Sequence, residues 1–374
     1  MAIKKVLIVG GGIGGLSAAI GLTKAGVEVD IVEINEKWTV YHVGIIVQAN
    51  FIRAMKQLGI ADRAVAAGFP YRGVEMCEAD GSVISHVQGP RIAGDEYPSD
   101  LGMARPALHE ILTSTVRATS ADIRLGVTFT NIDQHDDFVR VSFTDGTVKD
   151  YDLVIGADGV YSKVRETIFG TDLKPQFTGQ GVWRYNVPRP EGLDTAALYK
   201  GSLGKAGYVP LTPETMYILL VWAEPGNPKM ERDKLDVLLR DRLAEFGGHV
   251  GHARDNYIND PTQVVYRPLE VLLMPPPWNK GRVLLIGDAA HATTPHLGNG
   301  ASQAVEDAIV LAELVARDLP LDDMFAEFMK RRYERCKFIW ESSVMVGNWE
   351  MTKDPTADHP ALRRKMLEVM ALPI

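Results

Sequence analysis

The chain has 374 residues, of which 46% are hydrophobic, and it carries a formal net charge of −8 with a pI of about 5.7. This length suggests two domains or one large one, and an acidic chain without long basic runs argues against nucleic acid or an anionic membrane as the main partner. Two distant cysteines, Cys77 and Cys336, exclude a disulfide framework and favour reduced thiols in a cytoplasmic protein. We expect no membrane span and no signal peptide, because no apolar run is long enough.

The first elements along the chain form a strand–helix–strand unit. Residues 5–9, KVLIV, are continuous, β-branched and bounded by glycine, which predicts a buried parallel strand. Small and apolar residues at helical spacing follow as far as Gly26, and VEVDIVE predicts a second strand that ends at Glu33. Two strands joined by one helix in so short a stretch indicate a parallel βαβ unit.

The next elements alternate between helices and short strands. QANFIRAMKQLGI predicts a helix, GVEMCEADGSVISHV a hairpin that turns at Asp80-Gly81, and ARPALHEILTSTVRA a helix with Pro106 in its first turn. DFVRVSFTDGTVKDYDLVIGADG predicts a β-meander whose last strand is buried.

Residues 176–275 differ in character from the rest of the chain. Aromatic residues, prolines and alternating strands dominate there, and one amphipathic helix, RDKLDVLLRDRLAEF, interrupts them. This pattern predicts an antiparallel sheet inserted into an α/β domain. RVLLIG then predicts another buried strand, GASQAVEDAIVLAELVARDL predicts a long helix, and the remaining residues look helical.

The glycine-rich turn after the first strand is the first motif that indicates chemistry. Gly10, Gly12 and Gly15 form a Gly-x-Gly-x-x-Gly pattern between a predicted strand and a predicted helix, and Glu33 ends the following strand. The glycines permit a tight turn, close approach of a pyrophosphate and close helix packing, while an acid at the strand end can accept from a ribose hydroxyl. The motif predicts dinucleotide binding, and Glu33 suits an unphosphorylated ribose, as in FAD or NAD.

A second motif, DLVIGADGVYSKVR, places Asp158-Gly159 at the end of a buried strand, with Ser162 and Arg165 on the next turn. Asp and Ser are also common helix caps, so a ligand contact and a capping turn are both open interpretations.

A third motif, LLIGDAAHATTPHLGNG, ends a buried strand at Gly287 and places Asp288 where strand carboxyl ends face the ligand crevice of an α/β sheet. The loop after it has few bulky side chains, so its backbone can lie against a flat ring. Pro295 stiffens the loop, and the helix N-terminus after Gly298 favours negative charge nearby. The alternative for Asp288 is the cap of a short turn, and we expect His291 to be structural.

Taken together, the three motifs resemble those of the class A FAD-dependent monooxygenases, the aromatic hydroxylases of the para-hydroxybenzoate and salicylate hydroxylase type. VLIVGGGIGGLSAAIGL resembles the family's FAD–ADP motif, DLVIGADGVYSKVR its Asp-Gly motif, and RVLLIGDAAHATTPHLGNGASQAVEDA its Gly-Asp motif and flavin loop. The resemblance runs from residue 5 to about residue 340. It implies a Rossmann-like, GR2-type FAD-binding domain with an inserted antiparallel β-sheet substrate domain and C-terminal helices.

The resemblance also implies domains, cofactor contacts and a reaction. The FAD-binding domain would cover residues 1–75, 100–175 and 278–345, the substrate domain residues 76–99 and 176–277, and a C-terminal helical segment residues 346–374. The expected FAD contacts are Gly10, Gly12, Ile13, Gly14, Gly15, Glu33, Gly44, Arg105, Asp158, Gly159, Asp288, Pro295, Gly298, Gly300 and Ala301. NADH or NADPH would reduce non-covalently bound FAD, and O2 would then form a flavin C4a-hydroperoxide that hydroxylates a phenolic or N-heteroaromatic ring.

Departures from the family pattern lie beside the expected flavin ring. In HVGIIVQAN, His42 replaces the usual first glycine and Ala49 precedes Asn50, and Asn299 stands where the family usually has Gln. The candidates for substrate contact are His42, Arg184, Tyr208 and Tyr217. His42 could act as a base or point to solvent, the tyrosines could bond a phenol or only pack, and Arg184 could bind a substrate carboxylate or the protein's own acids.

Other classes of protein remain as alternatives. A flavoprotein halogenase is disfavoured because the strand VWRYNVP has only one tryptophan, and a disulfide reductase because no CxxC or second dinucleotide motif is present. A non-catalytic relative of the same fold is disfavoured by the intact Asp158-Gly159 and Gly287-Asp288 motifs. We expect no metal site, and we leave open the aromatic substrate, the choice between NADH and NADPH, and the oligomeric state, with a homodimer as one option.

Overall fold

The computed structural model describes residues 3–374 of the chain. The strands, in chain order, are β1 (Lys5–Val9), β2 (Glu28–Glu33), β3 (Gly44–Gln48), β4 (Phe69–Pro70), β5 (Val74–Cys77), β6 (Val83–Val87), β7 (Asp100–Ala104), β8 (Asp122–Leu125), β9 (Phe129–Gln134), β10 (Val139–Phe143), β11 (Val148–Tyr151), β12 (Leu153–Gly156), β13 (Gln176–Pro188), β14 (Ala196–Lys200), β15 (Gly204–Pro210), β16 (Thr215–Ala223), β17 (Val265–Val271), β18 (Asn279–Lys280) and β19 (Val283–Leu285). The helices are α1 (Ile13–Lys24), α2 (Ala49–Gln57), α3 (Ala61–Ala67), α4 (Arg105–Arg117), α5 (Lys163–Phe169), α6 (Leu235–Arg242), α7 (Gly248–Asn256), α8 (Asp288–His291), α9 (Gly300–Ala316), α10 (Leu321–Thr352) and α11 (His359–Ala371). Among the described residues, no helix is both long enough and apolar enough to cross a membrane.

The central sheet has the order β18-β19-β12-β1-β2-β8. Its strands are parallel except for the short edge strand β18. Helices α1 and α9 pack tightly against each other: a Cβ added at Gly21 would lie 2.8 Å from the Cβ of Ala312. The inner strands are apolar because both faces of a parallel sheet are covered by helices. The parallel strand order confirms the predicted Rossmann-like domain.

The predicted β-meander is wrong in its last strand. β9, β10 and β11 form a small antiparallel sheet, but β12 leaves it and pairs in parallel with β1. The physical reason is burial, since β12 is buried along its whole length, which suits the centre of a parallel sheet and not the edge of a meander.

The inserted sheet has seven strands in the order β17-β13-β16-β15-β14-β5-β6. It is antiparallel, as predicted, except that β14 pairs in parallel with β5. The predicted helix RDKLDVLLRDRLAEF is shorter than expected, because a 3-10 turn at Arg232–Lys234 precedes α6. Helix α7 was not predicted, since the glycines and histidines of Gly248–Asn256 lower its intrinsic helix propensity.

The two faces of the inserted sheet have different partners. One face packs with α6 and α7 around Trp183, Tyr208 and Phe246. The other face turns Tyr217, Val209 and their neighbours towards the first domain. A third, small sheet has the order β3-β7-β4. The inserted sheet approaches it closely at β7, because a Cβ added at Gly102 would lie 1.9 Å from the carbonyl oxygen of Pro210.

Helix α10 runs without a break from Leu321 to Thr352, so the boundary expected between residues 345 and 346 falls inside a helix. Helix α10 ends at Thr352, and the last helix, α11, begins at His359.

The C-terminal end of α11 is held by arginines, since Arg53 and Arg335 both donate to the carbonyl of Met370. Cationic groups at helix C-terminal carbonyls satisfy otherwise unpaired acceptors and interact well with the helix dipole.

A buried ionic cluster joins α9 to α10. The Arg332 guanidinium donates to Asp307 Oδ1 at 2.7 Å and to Glu306 Oε2 at 2.8 Å, and all three side chains are 0% exposed. Arg335 donates to both oxygens of Glu306. Since each carboxylate is paired and hydrogen-bonded, the cluster is tolerated in the core, but removing one partner would leave an uncompensated buried charge.

Arg332→Met should lower the free energy of unfolding by about 3–5 kcal/mol, because buried Asp307 loses its guanidinium partner and buried Glu306 keeps only Arg335. Chemical denaturation followed by circular dichroism measures the change. The matched control is Lys330→Met, whose ammonium lies in an exposed pair on the same helix. Equal stability of the two variants would show that the cluster contributes nothing to the fold.

Candidate active site

Two of the three glycines in the glycine-rich turn occupy positions that only glycine fits. Gly10 has a φ of +111°, and a Cβ there would lie 2.4 Å from the carbonyl oxygen of Ala157. A Cβ at Gly15 would lie 2.0 Å from the carbonyl oxygen of Gly10. At Gly12, in contrast, no atom lies within 4 Å of the added Cβ. Gly10 and Gly15 therefore serve the packing of the turn, and Gly12 borders open space at the start of α1.

Glu33 holds this turn to the end of β2. Its Oε2 accepts from the backbone N–H of Gly11 at 2.8 Å, and its Oε1 accepts from the N–H of Asn35 at 2.8 Å. Each carboxylate oxygen retains a further lone pair for a ligand hydroxyl. The first hydrogen bond of α1 runs from Leu16 to Gly12, so the preceding amides have no partner within the helix and point to the same space.

Asp158 acts as a cap in this structure. Its carboxylate accepts from the Ser162 hydroxyl and from the backbone N–H groups of Lys163 and Val164. Buried Arg165 links this turn to the motif of Asp288, since it donates to the carbonyl of Ala289 at 2.8 Å. Gly159 has a φ of +81°. The capping interpretation therefore accounts for the bonds of Asp158, and a cofactor contact at this residue stays a prediction.

Asp288 does not act as a cap. It follows Gly287, whose φ is +58°, and its side chain makes no capping hydrogen bond to the short helix α8. The residue is exposed to the cleft, yet surrounding protein still raises the pKa of its carboxyl by desolvation, with His291 and Arg105 acting in the opposite direction. An acceptor that the fold leaves without a partner at a strand end is suited to ligand hydroxyls.

The loop behind Asp288, residues 293–299, is here called the flavin loop. It contains a 3-10 turn at Pro295–Leu297 and then Gly298 in the left-handed region, with a φ of +65°. Helix α9 begins at Gly300, and its first hydrogen bond runs from Gln303 to Asn299. The amides of Gly300 and Ala301 therefore have no partner within the helix and favour a negative group in front of them.

The roof of the cleft is formed by β13 and β16. Tyr217 packs on Gly44, where an added Cβ would lie 2.4 Å from the tyrosine ring. Arg184 lies on the same face of the sheet, because it pairs with Leu219 in the register that also pairs Asn186 with Tyr217. Burial and the nearby charge of Arg105 together lower the pKa of Arg184 to about 10. The two guanidinium groups are thus close enough for their charges to interact.

Two of the candidate substrate contacts lie elsewhere. Tyr208 belongs to the core on the opposite face of the inserted sheet, where its ring contacts Tyr199 and His249. It pairs with Ile218, the neighbour of Tyr217, and adjacent residues of a strand point to opposite faces. Of the two alternatives given for the tyrosines, packing therefore applies to Tyr208, and its candidacy as a substrate contact is wrong.

The His42 imidazole contacts a backbone carbonyl of the inserted domain in this structure. Its Nε2 lies 3.1 Å from the carbonyl oxygen of Gln263, and its own carbonyl accepts from the Asn186 amide. The imidazole links the first domain to the inserted domain, and a role as a base stays an untested prediction.

Several polar residues of the site were missed in the sequence. The Asn299 amide donates to Gln48 Oε1 at 2.6 Å, and Asn50 donates to Asn299 Oδ1 at 2.9 Å, so the departure at Asn299 bonds the two residues that flank the departure at Ala49. Asn186 places its Oδ1 in the interior without a hydrogen-bond partner among the described residues. Alternation along WRYN could have indicated Asn186, since it lies two residues after Arg184.

A buried cluster of His291, Asp307 and Cys336 lies behind the cleft, and its potential ligand atoms are within 4.8 Å of one another. His291 Nε2 lies 2.6 Å from Asp307 Oδ2, which supports the structural role expected for this histidine. Because Arg332 already occupies the other oxygen of Asp307, the group is an ionic contact of the fold.

These features fit FAD. Gly12 borders space at a helix N-terminus that suits a pyrophosphate, Glu33 suits a ribose, and the unpartnered Asp288 suits ribitol hydroxyls. The flavin loop offers backbone and helix amides to a ring with negative charge. The residues that would hold the cofactor thus lie at the ends of β2 and β19 and at the starts of α1 and α9.

Comparison with known proteins agrees with this geometry. Residues 4–320 match the family model described as FAD binding domain. The chain is 34% identical over 351 residues to 2-heptyl-3-hydroxy-4(1H)-quinolone synthase of Pseudomonas aeruginosa, covering 92% of this chain and 90% of that protein. It is 28% identical over 351 residues to 6-hydroxynicotinate 3-monooxygenase of Bordetella bronchiseptica, covering 88% of this chain and 86% of that one.

A solved structure has the same fold. HpxO of Klebsiella pneumoniae, complexed with FAD and uric acid, superposes with a TM-score of 0.87 at 24% identity, covering 98% of this chain and 96% of that chain. The fold and site define a class A flavoprotein monooxygenase. The chain belongs to the FAD binding domain family and is an FAD-dependent monooxygenase of aromatic or heteroaromatic substrates.

Gly12→Val should abolish measurable FAD binding and leave the stability of the apoprotein nearly unchanged. The added side chain enters open space that the pyrophosphate needs, and the φ of Gly12 is an ordinary −81°. Titration of apoprotein with FAD, followed by flavin fluorescence, measures binding. Gly15→Val is the control, because its side chain would collide with the backbone and should destabilise the fold itself.

Asp288→Ala should weaken FAD binding roughly ten- to hundredfold, the loss expected for a hydrogen bond to a charged group. Asp158→Ala should instead lower the free energy of unfolding by about 1 kcal/mol through loss of a cap, with a smaller effect on affinity. Thermal melts of the apoproteins and FAD titrations separate the two effects. A reversed pattern would exchange the roles assigned to these aspartates.

Proposed function

We propose that this enzyme uses NADH or NADPH to hydroxylate an N-heteroaromatic ring that carries an acidic hydroxyl, oxo or carboxyl group. The observation that carries this proposal is the guanidinium of Arg184 in the roof, which has no hydrogen-bonded acceptor among the described residues. A buried positive charge is costly unless a negative group pairs with it, and no side chain among the described residues pairs with Arg184.

Electrostatics supports an anionic or acidic substrate. With its pKa at about 10, Arg184 stays charged at neutral pH, and the neighbouring charge of Arg105 repels it. Burial lowers the pKa of Arg105, and Tyr217 and the carboxylate of Asp288 only partly offset this effect. Arg184 has no such carboxylate, so a carboxylate or a deprotonated ring oxygen of the substrate would complete its bonding.

The neighbours of Arg184 favour a substrate ring that carries both a hydrogen-bond donor and an oxygen atom. Tyr217 and Asn186 stand opposite each other on the roof, and burial raises the pKa of Tyr217 so that its hydroxyl stays protonated. The Asn186 amide donates to the His42 carbonyl, which can only accept, so the Oδ1 of Asn186 is the atom left unpartnered. A ring N–H beside a ring oxygen matches this set of groups.

The relatives support the same class of substrate. Their names specify a quinolone and a hydroxynicotinate, both nitrogen heterocycles that carry ring oxygen. Bound FAD supplies electron transfer from the nicotinamide and the activation of O2. The residues of this chain bind the anion at Arg184, orient the ring beneath Tyr217 and, through the buried roof, exclude water.

A substrate screen tests the proposal. FAD-loaded enzyme is mixed with NADH or NADPH and with 4(1H)-quinolones, hydroxypyridines, hydroxynicotinates and simple phenols, and coenzyme oxidation and product mass are recorded. We expect a heteroaromatic member to accelerate oxidation and to gain one oxygen atom. Stimulation by phenols alone, or by no compound, would contradict the proposed substrate class.

Arg184→Met should weaken binding of an acidic heteroaromatic ligand roughly ten- to hundredfold and leave FAD affinity unchanged. The perturbation of flavin absorbance by 6-hydroxynicotinate measures binding, and 2-hydroxypyridine, which lacks the carboxylate, is the neutral comparison. Arg240→Met, on the outer helix α6, is the control variant. Equal affinities for the acid in all three proteins would remove Arg184 from the site.

A further inference from the structure

His296 lies in the middle of the flavin loop but points away from the cleft. Its side chain is 0% exposed, its Nδ1 lies 2.7 Å from the Thr294 hydroxyl, and its Nε2 lies 3.3 Å from the carboxylate of Glu350 on α10. A carboxylate only accepts, so the proton belongs on Nε2, and Nδ1 accepts from Thr294. Burial lowers the pKa of His296, and the charge of Lys205 lowers it further, so the ring is neutral.

Glu350 also bonds to the inserted sheet. Its Oε1 lies 2.7 Å from the ammonium of Lys205 on β15, and both side chains are largely buried. Burial alone would raise the pKa of Glu350, but Lys205 and His296 together lower it to about 2. The carboxylate is therefore ionised and shared between a residue of the flavin loop and a residue of the substrate domain.

The space around this contact is narrow and polar. A Cβ added at Gly347 would lie 2.7 Å from the Gln180 amide oxygen and 3.1 Å from the His296 ring. His296 Nε2, Glu350 Oε2 and both amide atoms of Gln180 are buried without a well-aligned hydrogen bond among residues 3–374. The contact at 3.3 Å is longer than a strong charge-assisted bond, so a small movement of the loop would improve it.

We propose that His296 is a positioning residue for the flavin, and that Glu350 sets the flavin loop relative to the substrate sheet by holding His296 and Lys205 together. His296 lies two residues before Gly298, and α9 begins at Gly300 with amides that have no partner within the helix. A shift of His296 therefore moves the backbone that faces the cofactor. The inference rests on FAD binding, which family membership establishes, and not on the identity of the aromatic substrate.

The test compares Glu350→Gln with the double variant Lys205→Met/Glu350→Met. Replacement of both buried charges by apolar groups should return thermal stability close to that of the wild type, since neither charge is then left unpaired. We expect both variants to shift the absorbance spectrum of bound FAD and to slow its reduction by NADH or NADPH, without aromatic substrate, by about tenfold or more, because small misplacements are costly in rate. FAD affinity should stay within about twofold, since the contacts at Gly12, Glu33 and Asp288 are untouched.

A purely structural role gives a different result. If the double variant regains stability together with the wild-type flavin spectrum and reduction rate, the proposal is overturned. Thr294→Val, which removes only the hydroxyl bonded to His296, gives a milder test that should shift the spectrum in the same direction. Glu341→Gln, on the exposed side of α10, is the control and should change none of these quantities.

These measurements need no aromatic substrate. A failed substrate screen would contradict the proposed function and leave the spectral test valid. An unchanged flavin spectrum and reduction rate in Glu350→Gln, Thr294→Val and the double variant would contradict the positioning role alone.

Discussion

The buried carboxylate of Asp307 is the interaction on which the geometry of the cleft depends. Its Oδ2 accepts from the backbone N–H of Gly287 at 2.9 Å and contacts His291 at 2.6 Å, while its Oδ1 accepts from Arg332. This one side chain ties the end of β19 to α9 and α10. Because the turn is held from behind, the Asp288 side chain is left without an internal partner and faces the cleft.

Asp158 and Asp288, the aspartates of the second and third motifs, differ in whether the fold uses their carboxylates. Asp158 uses its carboxylate inside its own turn, and Arg165 then joins that turn to Ala289 beside Asp288. One aspartate thus builds the wall of the cleft, and the other is available within it. A ligand that offers hydroxyl groups finds its acceptor at Asp288, next to the amides at the start of α9.

Local motifs were predictable from sequence because each lies within a few residues of a strand end. The turn of Gly10, Gly12 and Gly15 with Glu33, the central sheet and the inserted sheet could all be read from patterns of glycine and apolar residues. The role of Asp158 could not, since a carboxylate before Ser162 suits both a cap and a ligand.

Contacts that depend on register or on distant segments escaped prediction. Tyr208 and Tyr217 look equivalent on neighbouring strands, but a difference of one residue in register places them on opposite faces of the sheet. The bonds of Asn299 to Gln48 and Asn50 join segments about 250 residues apart, which no local pattern relates. Glu350 reaches Lys205 and His296 only because α10 continues past the expected domain boundary.

The central proposal is that the enzyme directs oxygen from O2 into an N-heteroaromatic ring held by Arg184. The most direct measurement is a turnover with isotopically labelled O2, NADH or NADPH and the heteroaromatic compounds of the substrate screen, followed by mass spectrometry. The account predicts a product that contains one labelled oxygen atom, formed in near-equal amount to the coenzyme consumed. Labelled oxygen recovered only as hydrogen peroxide or water, with no labelled ring product from any of these compounds, would contradict it.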